Sequence, residues 1–216
     1  MKKSAIIIFT ILIVTSIASA QKVVEKSVKI SQAEEVSLNF DFADDITVNI
    51  WDKQEVYVKV SVNINENKNN DNFTLKDKKE GNSIVISSEI EDLDKLSEKN
   101  DGHIKMELTF EVFMPKNKLL SLNTISGNIE IIDYPGEMDI NTISGFIDLS
   151  IPRSTKADLS FATISGSIYS DLDNNFDEKT THDQIIGASV DNTINGGGKK
   201  ISLNTISGNI YLREKK

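Results

Sequence analysis

The sequence predicts an all-β protein, a parallel β-solenoid (β-helix-like) preceded by a less regular, strand-rich N-terminal part. Three observations predict it. A Thr-Ile-Ser-Gly tetrapeptide recurs at near-constant spacing, apolar residues alternate on both sides of each copy, and the chain has no cysteine with which to staple an irregular fold.

Residues 1–20 read as a secretory signal peptide. Lys2 and Lys3 form the charged start, an apolar run over residues 5–14 follows, and Ala18-Ser19-Ala20 supplies the small-x-small cleavage pattern. The run is shorter than the about 20 apolar residues of a membrane span. The expectation is therefore an exported chain beginning at Gln21, periplasmic, cell-surface or secreted, with no transmembrane segment after signal removal. Without cysteine, disulfides, thiol nucleophiles and cysteine-ligated zinc or iron–sulfur sites are excluded.

Residues 21–117 form the irregular part, expected to cap the open end of the repeats. Alternation at Val56, Val58, Val60, Val62 and Ile64, and again at Ile104, Met106, Leu108, Phe110 and Val112, marks strands with one buried face. Residues 63–71 and 91–102 are charged and asparagine-rich, and read as solvated loops, the second with room for one helical turn.

Residues 118–216 carry about five rungs. Thr124-Ile125-Ser126-Gly127 returns as Thr142-Ile143-Ser144-Gly145, Thr163-Ile164-Ser165-Gly166 and Thr205-Ile206-Ser207-Gly208, with a degenerate Gln184-Ile185-Ile186-Gly187 in the gap. The glycines stand 18, 21, 21 and 21 residues apart. Before each complete copy the pairs Leu120/Leu122, Met138/Ile140, Leu159/Phe161 and Ile201/Leu203 alternate, and after it Ile129/Ile131, Ile147/Leu149, Ile168/Ser170 and Ile210/Leu212. Each copy is thus strand, corner, strand, with the Ser-Gly pair suited to a type II turn. A single rung cannot bury its apolar face, but copies stacked about 4.8 Å apart share one core. Stacking also aligns the repeat threonines and serines into ladders, which makes them structural. The charged tail after Leu212 is expected to protect an exposed last edge.

The fourth rung departs from the others at Thr180, His182, Gln184 and Ile186. Two readings stay open there, a bulge that lets Ile185, Val190 and Ile194 pack instead, or a polar site around His182 and Asp183. Asp171, Asp173, Asn175 and Asp177 alternate like calcium ligands, but Phe176 and His182 stand where an EF-hand needs glycine and glutamate, so no metal site and no cofactor are assigned.

Thr-Ile-Ser-Gly-x-Ile copies behind a signal peptide resemble the bacterial "putative adhesin" family of β-solenoid domains. Ile46-Thr47-Val48-Asn49-Ile50-Trp51-Asp52, followed by Glu55-Val56-Tyr57-Val58-Lys59-Val60, is similar to that family's opening strand pair. The resemblance runs from about residue 36 to the end, with residues 65–103 poorly matched. It implies a solenoid and brings no catalytic residues.

Loss of residues 1–20 leaves 22 basic against 33 acidic residues, a formal −11, which excludes clustered-cation binding of nucleic acid and weakens attraction to anionic lipid. Outward positions after the glycines include Phe146, Tyr169 and Tyr211, placed to form a shallow binding face along one side. The function expected is that of a non-enzymatic surface or envelope protein presenting this face to glycan, matrix or another protein. The alternatives are a polysaccharide-acting enzyme using Asp148 and Glu130, which sit at equivalent positions on adjacent rungs, and a purely structural envelope component.

Overall fold

A computed structural model of the chain describes residues 21–30, 35–99, 102–172 and 187–215. The expectations for residues 1–20, for the degenerate copy up to Ile186, and for Asp173 through the His182–Asp183 pair lie outside these residues. The described chain is all-β apart from one short helix and one 3₁₀ turn. The strands are β1 (Lys22–Lys29), β2 (Glu35–Asn39), β3 (Phe42–Trp51), β4 (Glu55–Ile64), β5 (Phe73–Glu80) and β6 (Ser83–Ile90), then the helix α1 (Leu93–Lys99) and β7 (Met106–Pro115). The repeat region follows with β8 (Leu119–Ile131), β9 (Met138–Ser144), β10 (Ile147–Ile151), β11 (Ala157–Ser165), β12 (Ile168–Ser170), β13 (Ala188–Ile194), β14 (Lys199–Ser207) and β15 (Ile210–Glu214).

These strands make one 15-stranded mixed sheet, and the pairing resolves it into two walls. One wall runs β5–β6–β2–β8–β9–β14–β11–β13, the other β1–β4–β7–β3–β8–β10–β15–β12. Strand β8 belongs to both, its first half pairing β9 and its second half β10. Apolar residues of the two walls meet in a single core, across which Phe40 stacks on Phe110 at 4.3 Å and Phe73 meets Phe110 at 6.2 Å.

Inside the repeat region the register follows the repeat. Thr124 faces Thr142, Thr142 faces Thr205 and Thr205 faces Thr163, all in parallel pairs. The alternation sends Leu120, Leu122, Ile129, Ile131, Ile147, Leu149, Ile201, Leu203, Ile210 and Leu212 into the core, and Ile168 packs partly buried against it. Burying each such side chain contributes about 1.5–3 kcal/mol.

The sheet as a whole is not purely parallel. Strands β1, β4 and β7 pair antiparallel, as do β5 with β6, and β13 with β11. The segment after Gly187 is therefore a reversed strand and not a fifth parallel rung. Of the residues expected to pack there, Ile194 is buried and Val190 half-buried.

The copies also stack out of chain order. The β14–β15 copy, last in sequence, lies between β9–β10 and β11–β12, so the spatial succession of glycines is 127, 145, 208, 166. The crossover from β13 to β14 passes under the start of β11 through residues 195–198. Asn195, with φ +50°, donates to the Arg153 and Thr155 carbonyls at 2.9 and 2.7 Å, while a Cβ on Gly198 would lie 2.6 Å from the Lys156 carbonyl oxygen. The charged tail thus guards no edge. Strand β15 is paired on both sides, and Lys215 binds Asp133 at 2.9 Å and donates its amide to Ile151. The charge expected on an edge appears instead on β1 and β5, which carry Lys22, Lys26, Asp77 and Lys78.

The repeat glycine has a different role from a type II turn. Gly127 and Gly145 have φ of +146° and +134°, far from the about +80° of that turn. What the position requires is the absence of a side chain. A Cβ on Gly145 would collide with the Gly127 carbonyl oxygen, on Gly208 with that of Gly145, and on Gly166 with that of Gly208. The buried threonine hydroxyls do not bond one another either. Thr124 and Thr142 donate to the serine carbonyl of their own corner, and Thr163 and Thr205 to the glycine carbonyl of the next rung.

Two further rungs extend the stack where the repeat is invisible in sequence. Strands β2 and β3 pair with the two halves of β8, and β6 and β7 pair in turn with β2 and β3. The loop over residues 63–71 is built rather than simply solvated. Buried Asn70 accepts from the Ile64 amide at 2.7 Å and donates to the Val62 carbonyl at 3.0 Å, closing a turn in which Asn65, Glu66 and Asn67 all have positive φ.

Gly145→Ala is expected to destabilise the protein by about 3 kcal/mol in urea denaturation, from backbone collision and strain, against about 1 kcal/mol for Gly81→Ala at an open turn. Burial pushes the Asp133 carboxyl up, but the Lys215 ammonium and the Tyr134 amide outweigh it and hold the group below the ordinary aspartate range. The stability it contributes is complete above about pH 3.9 and is lost as pH falls through its depressed folded-state value. Asp133→Asn should flatten that part of a pH–stability profile.

Candidate binding faces

The post-glycine face gathers the three aromatics expected there. Asp148, Tyr211 and Tyr169 are direct partners across β10, β15 and β12. The Tyr169 and Tyr211 rings stack at 5.3 Å and 12°, and Phe146 meets Tyr211 edge-on at 6.1 Å. The insertion of β15 makes this cluster, because Tyr211 comes from the last copy and sits between residues of the second and third. Asn209 donates to the Tyr211 hydroxyl at 3.1 Å, and the Arg213 guanidinium lies 5.1 Å from the Tyr211 ring centre.

Arg213 Nε also donates to both oxygens of Asp148 at 2.8 and 2.7 Å, and this partner pushes the guanidinium further up from its ordinary range. With Tyr169 on one side and Arg213 beside it, Tyr211 serves as the base of the platform. Tyr169, 52 % exposed on a strand that among the described residues pairs only β15, presents the accessible ring. Glu130 stands next to Asp148 in register, as the repeat predicts.

A second face, on the pre-glycine wall, was not singled out by the sequence reasoning. Ile125, Ile143, Ile206 and Ile164 point outward in one column and are 42–58 % exposed. Beside them runs a ladder of side-chain amides. Asn204 donates to Asn141 at 3.0 Å, Asn141 to Asn123 at 3.2 Å, and Asn123 to Asn39 at 3.2 Å. In the last parallel rung Ala162 takes the asparagine position. Over this end opens a groove of about 560 Å³ lined by Asn141, Ile143, Ala162, Ile164, Ser189, Asn204 and Ile206, among others. The signal was present in the Asn-Thr-Ile-Ser-Gly spelling of three copies, since the parity that sends Thr124 inward sends Asn123 and Ile125 out.

A third aromatic group, Trp51, Tyr57 and Phe113, packs at 5.3–6.1 Å on the far part of the other wall. It ties β3 and β4 together across the intervening β7, and at the β3–β4 connection Trp51 Nε1 donates to the Glu55 carbonyl at 2.8 Å and Lys53 covers the indole. Burial first, then a hydrogen bond to Glu25, pushes the Tyr57 hydroxyl up. Among the described residues no group of three or more His, Cys, Asp or Glu side chains is arranged to hold a metal ion. No helix among them is long and apolar enough to cross a membrane.

The rung geometry agrees with comparison to known families. Residues 120–213 match the family model described as Toastrack DUF4097. The Toastrack match therefore covers the four complete repeats and excludes β1–β7. The crystal structure of a "putative cell adhesion protein" from Clostridium sporogenes superposes with a TM-score of 0.54 at 12 % identity, over 90 % of this chain and 100 % of that one, and so shares the fold. A "putative lipid binding protein" from Parabacteroides distasonis aligns over 68 % of this chain and 57 % of its own at 18 % identity, with a TM-score of 0.37. A "putative adhesin" from Parabacteroides merdae aligns over 69 % and 64 % at 14 % identity, with a TM-score of 0.32. No curated protein matches the sequence.

On the post-glycine wall, Arg213→Ala should cost no more than about 1 kcal/mol of stability, because the Arg213 side chain of the pair is half exposed to solvent. Its larger effect is expected on Tyr211, whose near-ultraviolet circular dichroism should weaken as the guanidinium leaves the ring.

Proposed function

We propose that this is an exported, non-enzymatic surface or envelope protein whose solenoid of parallel rungs, capped by residues 21–117, presents an aromatic face for adhesion-like contacts with glycan or protein. The observation that carries the reading is the Phe146–Tyr211–Tyr169 cluster. Three aromatics from three rungs meet on a rigid sheet, with Arg213 and Asp148 fixed beside them. A planar ring held by stacking loses little freedom when a sugar ring or an aromatic side chain lies on it. The "putative cell adhesion protein" that shares the fold supports the same class of role. A hydrolytic role for Asp148 and Glu130 finds less support, because both oxygens of Asp148 are already engaged by Arg213 and a general acid must reach its substrate.

The test is a binding screen of residues 21–216 against glycans and intact envelope fractions. Tyr169→Ser combined with Tyr211→Ser should reduce capture at least tenfold while the urea midpoint falls only slightly. Binding unchanged in that double variant would remove the aromatic face from the account.

A further inference from the structure

The groove on the pre-glycine wall is a separate site from the aromatic face, and its chemistry is unusual for the surface of a chain with net charge −9. None of the described residues that line it is charged. Its floor is methyl-rich, from Ile143, Ile164, Ile206 and Ala162, and its wall is made of stacked side-chain amides. The exposed isoleucine column is held open by the fold itself. The register that buries the threonines on one side forces these side chains out on the other, and at four successive rungs they make a contiguous apolar stripe.

The amide ladder gives the groove a polarity. Each asparagine donates in the direction of Asn39, so the chain of hydrogen bonds ends at Asn204, whose NH₂ is used on Asn141 and on the Ser202 hydroxyl. The next rung would supply the donor for Asn204 Oδ1, but Ala162 stands there. Hydrogen bonds in a chain polarise one another, so the terminal carbonyl oxygen carries the partial negative end of the ladder. It faces a notch one side chain deep, closed on the far side by Ser189 of β13. The complementary ligand group is uncharged, donates one N–H, accepts a hydrogen bond, and carries a small apolar end.

We propose that the Asn204–Ala162 notch, with Ile164 and Ile206 beside it, is a binding site for the N-acetyl group of an uncharged amino-sugar chain. The acetamido N–H would donate to Asn204 Oδ1, completing the ladder where the missing asparagine would have done so. The methyl would lie against Ala162 and the isoleucines, and the Ser189 hydroxyl is placed to serve the acetamido carbonyl. Net negative charge on the protein and the neutral lining select against carboxylate-bearing sugars.

Isothermal titration of the purified protein with a tetramer of β-1,4-linked N-acetylglucosamine tests this, with the glucose tetramer as the control lacking only the acetamido groups. The N-acetylated tetramer should bind at least tenfold more tightly than the glucose tetramer. Ala162→Asn extends the ladder and fills the notch with a residue three other rungs already carry, so it should keep the fold and abolish binding. Ile164→Ser should weaken binding several-fold. Tyr169→Ser with Tyr211→Ser should leave it within twofold. The site is overturned by equal binding of the two tetramers, by no binding of either, by an Ala162→Asn protein that binds as before, or by tighter binding of a muramyl fragment carrying a carboxylate. Loss of binding in the tyrosine variant but not in Ala162→Asn would assign the sugar to the aromatic face, overturning this inference while leaving the proposed function standing.

Discussion

The contact on which the repeat region depends is backbone against backbone at the glycine column. Gly145, Gly208 and Gly166 each lie so close to the carbonyl of the neighbouring rung's glycine that no side chain fits between them, and Gly127 lies tightly against Ala43. That approach lets the corner amides reach the adjacent rung, as when Gly145 donates to Ser207 and Gly208 to Ser165 at 3.1 and 3.0 Å. It also locks the register, since a slip of one residue would bring a β-carbon into the same space and turn the apolar face to water. In-register stacking then turns every repeated position into a column. The buried threonines, the outward isoleucines, the amide ladder and the stacked tyrosines are consequences of one constraint expressed at different positions.

Such columns suit recognition because the sheet holds side chains at fixed spacing without further ordering. On the post-glycine wall the column carries Asp148, Tyr211 and Tyr169, and the ion pair to Arg213 keeps one end polar. On the pre-glycine wall it carries amides and isoleucines. The two faces differ in chemistry although they come from the same repeats, because the residues flanking the corner vary on one side and are nearly constant on the other.

Much of this was legible in the sequence. Alternation around the glycines divided inward from outward residues correctly except at Ser170, which is exposed, and the same parity placed Phe146, Tyr169 and Tyr211 on the outward face. It also placed Ile125 and its equivalents outside, a conclusion easily missed because isoleucine reads as core. The order of the rungs was not legible. Near-identical copies satisfy each other's register in any order, so pattern alone cannot distinguish succession by sequence from insertion of the last copy. What decides is local, the reversal of β13 along β11 and the glycine crossing beneath it. Strands β3 and β7 were recognisable as strands but not as rungs, and β2 and β6 carried no distinct signal. Their corner at Asp41 and Phe42 lacks the glycine signature, and a register shift between Phe42 and Asp45 breaks the repeat.

The out-of-order stack is the claim from which the aromatic cluster, the ladder's end at Ala162 and the interior position of the C-terminal copy all follow. Because the chain has no cysteine, paired cysteines report on it without background. Asp139 and Ser202 face each other across β9 and β14, about 5 Å apart as adjacent strands require, whereas Asp139 and Ser160 are separated by the intervening β14 at about 10 Å, beyond disulfide reach. Oxidation of the Asp139→Cys, Ser202→Cys protein should give a quantitative intramolecular disulfide, and the Asp139→Cys, Ser160→Cys protein should remain reduced. A disulfide in the second protein and none in the first would show the rungs stacked in chain order and contradict the account.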